Sequence, residues 1–308
     1  MPTDARETVF ALASGSGNGP GGKRTHPRTR RQRLVRTLVA LGLCVGVVGG
    51  GVTAAAVFLE REETLVREHC TAVVGTDEHR LDPEQAANAA LIAAVSVGRG
   101  MPARAATIGI ATAVQESKLR NIDYGDTAGP DSRGLFQQRP SQGWGTEAQV
   151  MDPVYAANRF FAELETFDYR DMDVTEAAQK VQRSAYPLAY ADHEPEGRAY
   201  ASALTGNSPA ALNCVLRRAD AAGDPDALVA SLEAAFGNLD TSVDGRGVTV
   251  RATGKRGWAV AQWAVATADQ HQTTAVGNAG LVWNRAEKGW VTAATTDGAV
   301  VITVAAQD

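Results

Sequence analysis

Apolar and polar positions divide this chain into stretches of different period. Residues 1–36 show no apolar periodicity and are rich in Gly and Arg, which predicts a disordered tail. Residues 37–59 hold 23 positions without a charged side chain, enough for a helix to cross a bilayer core. Farther on, Asp82-Pro83-Glu84-Gln85 reads as a helix start, with an N-cap Asp, Pro at the first helical position and acids early. The Ala-rich run that follows extends that helix to Val97, where Gly98 and Gly100 stop it. From Pro102 onward, Ile108, Ala111, Val114 and Leu119 recur at three- and four-residue spacing and share one face of a second helix. Residues 219–226, with Gly223 and Pro225, read as a linker. Helices are then predicted over 225–236 and 257–269, and strands over 248–253, 281–283, 290–292 and 299–304. This divides the folded part into 60–218, mostly helical, and 222–308, a small α+β unit.

Charge orients the chain. Residues 1–36 carry eight Lys/Arg against two Asp/Glu, a net of +6; with the whole chain at −5, the remainder carries −11. An acidic body argues against nucleic acid as a partner, because phosphate binding needs clustered cations. Seven Lys/Arg between Lys23 and Arg36 precede the apolar stretch, and Glu60, Glu62, Glu63 and Glu68 follow it. By the positive-inside rule, 37–59 is a single-pass anchor in the cytoplasmic membrane, with the N-terminus inside and the body outside. The rival reading is a cleaved signal peptide ending near Ala54-Ala55-Ala56, whose apolar region would exceed the usual length. Both readings export the body. Cys44 lies within the apolar stretch, and Cys70 and Cys214 lie beyond it. In an oxidising compartment these two are expected to bond; the alternative is a pair of free thiols. The loop so closed would exceed a hundred residues, worth about 4–5 kcal/mol in the chain-entropy view.

Candidate chemistry concentrates in 111–139. Glu116 ends the second helix on a different flank from Val114, and Ser117 follows it directly. A partly buried carboxylate at the negative end of a helix dipole should have a raised pKa, as a general acid requires. The competing reading is a solvated Glu beside Lys118 and Arg120. Gly134-Leu135-Phe136-Gln137 forms a turn about twenty residues later. The pair Glu116-Ser117 and Gly134-Leu135-Phe136-Gln137 resembles the Glu-Ser and Gly-Leu-Met-Gln motifs of lytic transglycosylases and goose-type lysozymes. The resemblance extends through Gly143-Trp144-Gly145, Asp152-Pro153-x-Tyr155-Ala156-Ala157 and Phe160-Phe161-x-x-Leu164 to residues 178–187. The whole is similar to lysozyme-like domains of exported actinobacterial cell-wall proteins and of some phage tail proteins.

That resemblance implies a mostly α lysozyme-like domain with peptidoglycan glycan strands as substrate. With the readings above, the expected fold is a mostly α lysozyme-like domain followed by a small α+β domain, after a single N-terminal transmembrane helix, and no cofactor is expected. Glu116 would protonate the glycosidic oxygen and then act as base. It would act on the sugar's own 6-hydroxyl in a transglycosylase and on water in a lysozyme. Ser117 and Gln137 would orient Glu116 and hydrogen-bond substrate. Phe136 replaces the usual Met, and the family's Ala-Tyr-Asn-Ala-Gly segment has no literal match. Gln182 stands where a Tyr would touch the catalytic Glu, unless Tyr186 does so.

Other constellations are weaker. Asp126 or Asp131 could serve as a second carboxylate for inverting hydrolysis, but Asp beside Gly and Ser is ordinarily a turn residue. Their spacing with Asp123 does not match a calcium loop, and the five histidines form no metal motif, so no metal site is expected. Trp144 and Tyr155 could stack on sugars or sit in the core. The same choice holds for Trp258, Trp263, Trp283 and Trp290, where core packing is favoured. The expected function is therefore membrane-anchored glycan-strand cleavage. The alternative is a non-catalytic peptidoglycan-binding scaffold of a cell-envelope, secretion or conjugation complex.

Overall fold

The strongly polar run Asp77–Leu81 (β2) turns back on His69–Val74 (β1), and the two pair antiparallel, Cys70 facing Leu81. Charged side chains on β2 mark it as a sheet edge, where they discourage pairing with another chain. Leu212–Val215 (β3) pairs along the other side of β1, completing the order β2-β1-β3. Cys70 lies directly opposite Cys214 in that register, and the disulfide expected between them is present. In the computed structural model, residues 66–183, 188–287 and 289–306 are described. They belong to one compact unit, Arg61–Asp308.

After β2 come helices α1 (Pro83–Gly98), α2 (Ala103–Ser117), α3 (Glu147–Met151), α4 (Pro153–Leu164), α5 (Val174–Gln182) and α6 (Glu194–Leu204). Alanines bury α1 nearly all round, as a central helix requires, and it packs against α2, α4 and α6. The close approach depends on Gly109 of α2, where a Cβ would lie 2.9 Å from the Ile92 side chain. After β3 come α7 (Pro225–Phe236), the hairpin β4 (Thr241–Asp244) and β5 (Gly247–Arg251), then α8 (Gly254–Ala266). Four strands follow: β6 (Thr273–Asn278), β7 (Leu281–Asn284), β8 (Trp290–Thr292) and β9 (Ala299–Val304). They form a six-stranded antiparallel sheet in the order β4-β5-β9-β6-β7-β8.

The expected fold class is corrected by these elements. A mostly α domain followed by a small α+β domain does not describe them: among the described residues, eight α-helices are combined with two antiparallel sheets, of three and six strands. The expected transmembrane helix at 37–59 lies outside the described residues, among which no helix is long and apolar enough to cross a membrane. The reason is cooperative burial. Helix α8 lies between β6 and β9 on one side and α1 and α6 on another, so Gly257 through Ala266 are all buried. Its fully buried Gln262 donates to the carbonyls of Ala203 and Ser208 and accepts from the Leu212 N–H at 2.8 Å. Trp283 and Trp290 donate to Asn213 and to the Leu212 carbonyl, both at 2.9 Å. Trp258, Trp263 and Trp283 are buried, so they serve packing and not an exposed sugar platform.

Candidate active site

Helix α2 ends in an unusual way. Lys118 and Leu119, neither of them glycine, both adopt left-handed backbone, with φ of 54° and 56°. Left-handed geometry costs a residue with a Cβ about 1–2 kcal/mol each. The surroundings enforce it. Leu119 is fully buried, and its N–H reaches the Ala113 carbonyl at 3.0 Å. From α1, Gln85 donates to the Lys118 carbonyl and Asn88 to the Leu119 carbonyl, each at 2.8 Å. Arg120 pairs with Asp82 at 2.7 Å and with Glu84, fastening the start of α1 to the end of α2. The exit of the helix is thus held by side chains of α1, and Glu116 is held with it.

The Gly134-Leu135-Phe136-Gln137 turn closes on this helix end. The Ser117 hydroxyl, buried, donates to the Leu135 carbonyl at 2.7 Å, with the Ala113 carbonyl at 3.1 Å. Ser117 therefore anchors the turn to α2. Gly134 has φ of 77°, and a Cβ there would sit 2.2 Å from the Val150 carbonyl oxygen, so only glycine fits. Phe136 is fully buried and stacked on Phe160 with ring centroids 4.6 Å apart, which accounts for an aromatic at that place. Gln137 is half-buried, with φ of 48°, and its amide donates within the turn to the Gly134 carbonyl at 3.3 Å. Trp144 and Tyr155 are occupied with each other: the Tyr155 hydroxyl donates to the Trp144 carbonyl at 3.2 Å. The Trp144 ring is also covered by the Arg159 guanidinium.

At the centre, the Tyr190 hydroxyl donates to Glu116 Oε1 at 2.7 Å. Gln182, the last residue of α5, donates to the Phe136 carbonyl at 2.7 Å and also hydrogen-bonds Glu116. Burial raises the Glu116 carboxyl above the ordinary carboxylate range. The hydrogen bonds from Tyr190 and Gln182 oppose that rise, and the negative charge of Asp126 adds to it. Arg120, four residues on, pairs with Asp82 and Glu84. His193 stands beside the site, with Nε2 2.9 Å from Gln115 Oε1.

The other carboxylates of the loop are held elsewhere. Asp126 accepts from the N–H groups of Ala128 and Gly129 at 3.0 and 2.7 Å, a turn-forming arrangement. Asp131 accepts from the Ser141 N–H at 3.0 Å and pairs with Arg139 at 2.9 Å; both hold its pKa well below the usual range. Asp123 is exposed. Among the described residues no cluster of His, Cys, Asp or Glu is arranged to hold a metal ion.

Of the expected residues, Gln182 reaches Glu116, whereas the Ser117 hydroxyl bonds the Leu135 and Ala113 carbonyls and the Gln137 amide bonds the Gly134 carbonyl, so these two hold the turn and not the acid. Tyr186 lies outside the described residues. Sequence reasoning missed Tyr190, which lies 74 positions from its partner. A signal was available: Ala-Tyr occurs twice four residues apart, at Ala185-Tyr186 and Ala189-Tyr190. The second pair supplies a tyrosine to Glu116. No protein-family model matches the chain, and no curated protein matches it.

Proposed function

We propose that this protein cleaves peptidoglycan glycan strands with Glu116 as the single acid–base group. The observation that carries the reading is the Glu116 carboxyl itself. It is half-buried and bonded by the Tyr190 hydroxyl, and burial favours its neutral form. A neutral carboxyl near neutral pH can give a proton to a glycosidic oxygen as the bond breaks. The resulting carboxylate, steadied by Tyr190 and Gln182, then takes a proton from the attacking hydroxyl. Asp126 and Asp131 are committed to turns, which favours a mechanism with one carboxylate and attack by the sugar's own 6-hydroxyl over one needing a separate base. The Cys70–Cys214 disulfide supports a location outside the cytoplasm, where such bonds persist.

The test is to incubate the full chain with purified peptidoglycan and analyse the soluble products by mass spectrometry. Anhydro-ended fragments that vanish in Glu116→Gln are the expected result. Reducing ends that vanish in the same variant would replace the 6-hydroxyl by water. No soluble product, with the protein sedimenting on the wall, would overturn catalysis and leave a peptidoglycan-binding scaffold.

A further inference from the structure

At the end of α2 opposite Glu116, a cleft of about 640 Å³ opens between the first turn of α2, helix α6 with the turn after it, and the first turn of α8. Arg104, Arg198, Lys255 and Arg256 line it, and no acidic side chain does. Only Arg198 has an ion-pair partner among the described residues, Glu194 one turn earlier on α6. Arg104 is spread over the carbonyls of Tyr169 and Met172. Lys255 and Arg256 are exposed and have no carboxylate partner among the described residues. A body that is acidic as a whole has here assembled four cations with one counter-charge.

Two further features make this a built site. Helix α2, of 15 residues, and α8, of 13, both open without a side-chain cap at Pro102 or Thr253. Their first-turn N–H groups therefore add positive potential beside the cations. The walls are also fixed in place. Gly206, with φ of 74°, is pressed so closely on α8 that a Cβ would fall 1.9 Å from the Lys255 carbonyl oxygen. Gln262 ties Ala203 and Ser208 to α8 from beneath. On one side Val97, Met101 and Pro102 offer apolar surface, and on another Asn207 is held by the Thr205 hydroxyl, to which its amide donates at 2.8 Å. The volume is that of a small-molecule site.

We propose that this cleft binds the phosphate ester of a small organic molecule. The guanidinium groups and helix N-termini would hold the phosphoryl oxygens, and the apolar wall would hold the carbon chain. Such a group exists free, within a polyol-phosphate polymer and as a lipid headgroup. The site lies about 18 Å from Glu116 along α2, twelve residues at 1.5 Å each, so occupancy does not require the acid. It also gives residues 222–308 a ligand-binding role, because Lys255 and Arg256 come from them.

Calorimetric titration of the full chain with glycerol phosphate at low salt tests it. Saturable one-to-one binding is expected, weakening as salt rises and falling at least tenfold in the double variant Lys255→Glu/Arg256→Glu. Both positions are exposed, and an unchanged thermal melt would show that the fold is kept. Arg104→Gln should weaken binding too, and Glu116→Gln should leave it unaltered. Absence of saturable binding, or equal binding by the double variant, would overturn the proposal. Equal affinity for inorganic phosphate would overturn the part that concerns the carbon skeleton. Sedimentation with phosphatidylglycerol vesicles, reversed by soluble glycerol phosphate, would identify a lipid headgroup as the source. Ester binding without sedimentation would identify a soluble or polymer-borne source.

Discussion

At the C-terminal end of α2 a carboxyl is half-buried, and at its N-terminal end a guanidinium joins a cationic cleft. Both charges oppose the helix dipole. Helix α2 has no acid in its first turn and no base in its last. Helix α5, by contrast, has Glu176 in its first turn and Lys180 in its last, the arrangement that stabilises a helix. Each misplaced charge costs about 0.3–1 kcal/mol. The two ends handle that cost differently. At Glu116 burial favours the neutral form, while the hydrogen bonds from Tyr190 and Gln182 oppose that rise in pKa. Lys255 and Arg256 stay exposed, so the charge at the other end is left for an anion from outside. On the two proposals above, one end serves a proton and the other an anion.

The largest effect expected at the proton end comes from Glu116→Gln. Removing a general acid lowers turnover by about 10²–10⁴-fold. Gln keeps an oxygen for the Tyr190 hydroxyl and removes a group that must ionise in a buried place. Fold stability should therefore be retained or increased above neutral pH. The sign follows from the raised folded-state pKa. The protonated carboxyl favours the fold below the unfolded pKa, and that advantage is lost as pH rises through the folded pKa. Product analysis with a parallel thermal melt checks both parts. Turnover that survives, or a variant that melts lower at pH 8, would break the assignment of that end.

Next in size is removal of the Cys70–Cys214 disulfide by double substitution to Ser. Loss of about 2–5 kcal/mol is expected, measured by denaturant unfolding of the full chain with and without reductant. The bond joins β1 to β3, and the Tyr200 hydroxyl of α6 donates to the Cys70 carbonyl at 2.8 Å. Both ends of α2 should weaken together. A variant that lost only one of them would show that the two are separately stabilised.

Asn88→Ala addresses the left-handed exit of α2 alone. It strips the Leu119 carbonyl of its donor, which costs about 1–3 kcal/mol for a buried group. Turnover should fall because Glu116 loses its fixed aim, while glycerol phosphate binding should persist. Equal loss of both would mean that the exit turn supports the whole helix and not the acid in particular.

How much of this was legible in advance varies with the physics. Helices α1 and α7 carry their own signals, such as Asp82-Pro83 and Asp224-Pro225 at their starts, and they fall where the pattern places them. The Glu116-Ser117 and Gly134-Leu135-Phe136-Gln137 pair was visible as a motif because its parts lie close in sequence. Strands β1, β2 and β3 were not legible. Asp77–Leu81 is nearly all polar and Leu212–Val215 is four residues long, so their identity comes from pairing across a wide sequence gap. Tyr190 showed only as the second of two closely spaced Ala-Tyr pairs, because its partner lies 74 positions away. The basic cleft was hidden too, because Arg104, Arg198 and the Lys255-Arg256 pair come from three segments far apart in sequence. Contacts that depend on distant segments leave no periodic trace.

The finest probe of the proton end is Tyr190→Phe. The hydroxyl donates to Glu116 Oε1 and stabilises the carboxylate form, which holds the pKa below the level that burial alone would set. Phe keeps the buried ring and deletes only that donor. The Glu116 pKa should then rise further, so the alkaline limb of the activity profile should move to higher pH. Activity at the optimum should fall only several-fold, since the acid is present and less well aimed. A profile of kcat/KM against pH for both proteins measures this, with glycerol phosphate affinity as the control at the far end of α2. A limb that stays in place would mean that Tyr190 positions the side chain without tuning its proton. A limb that moves to lower pH would contradict the direction of the hydrogen bond and with it the identity of Glu116 as the titrating acid.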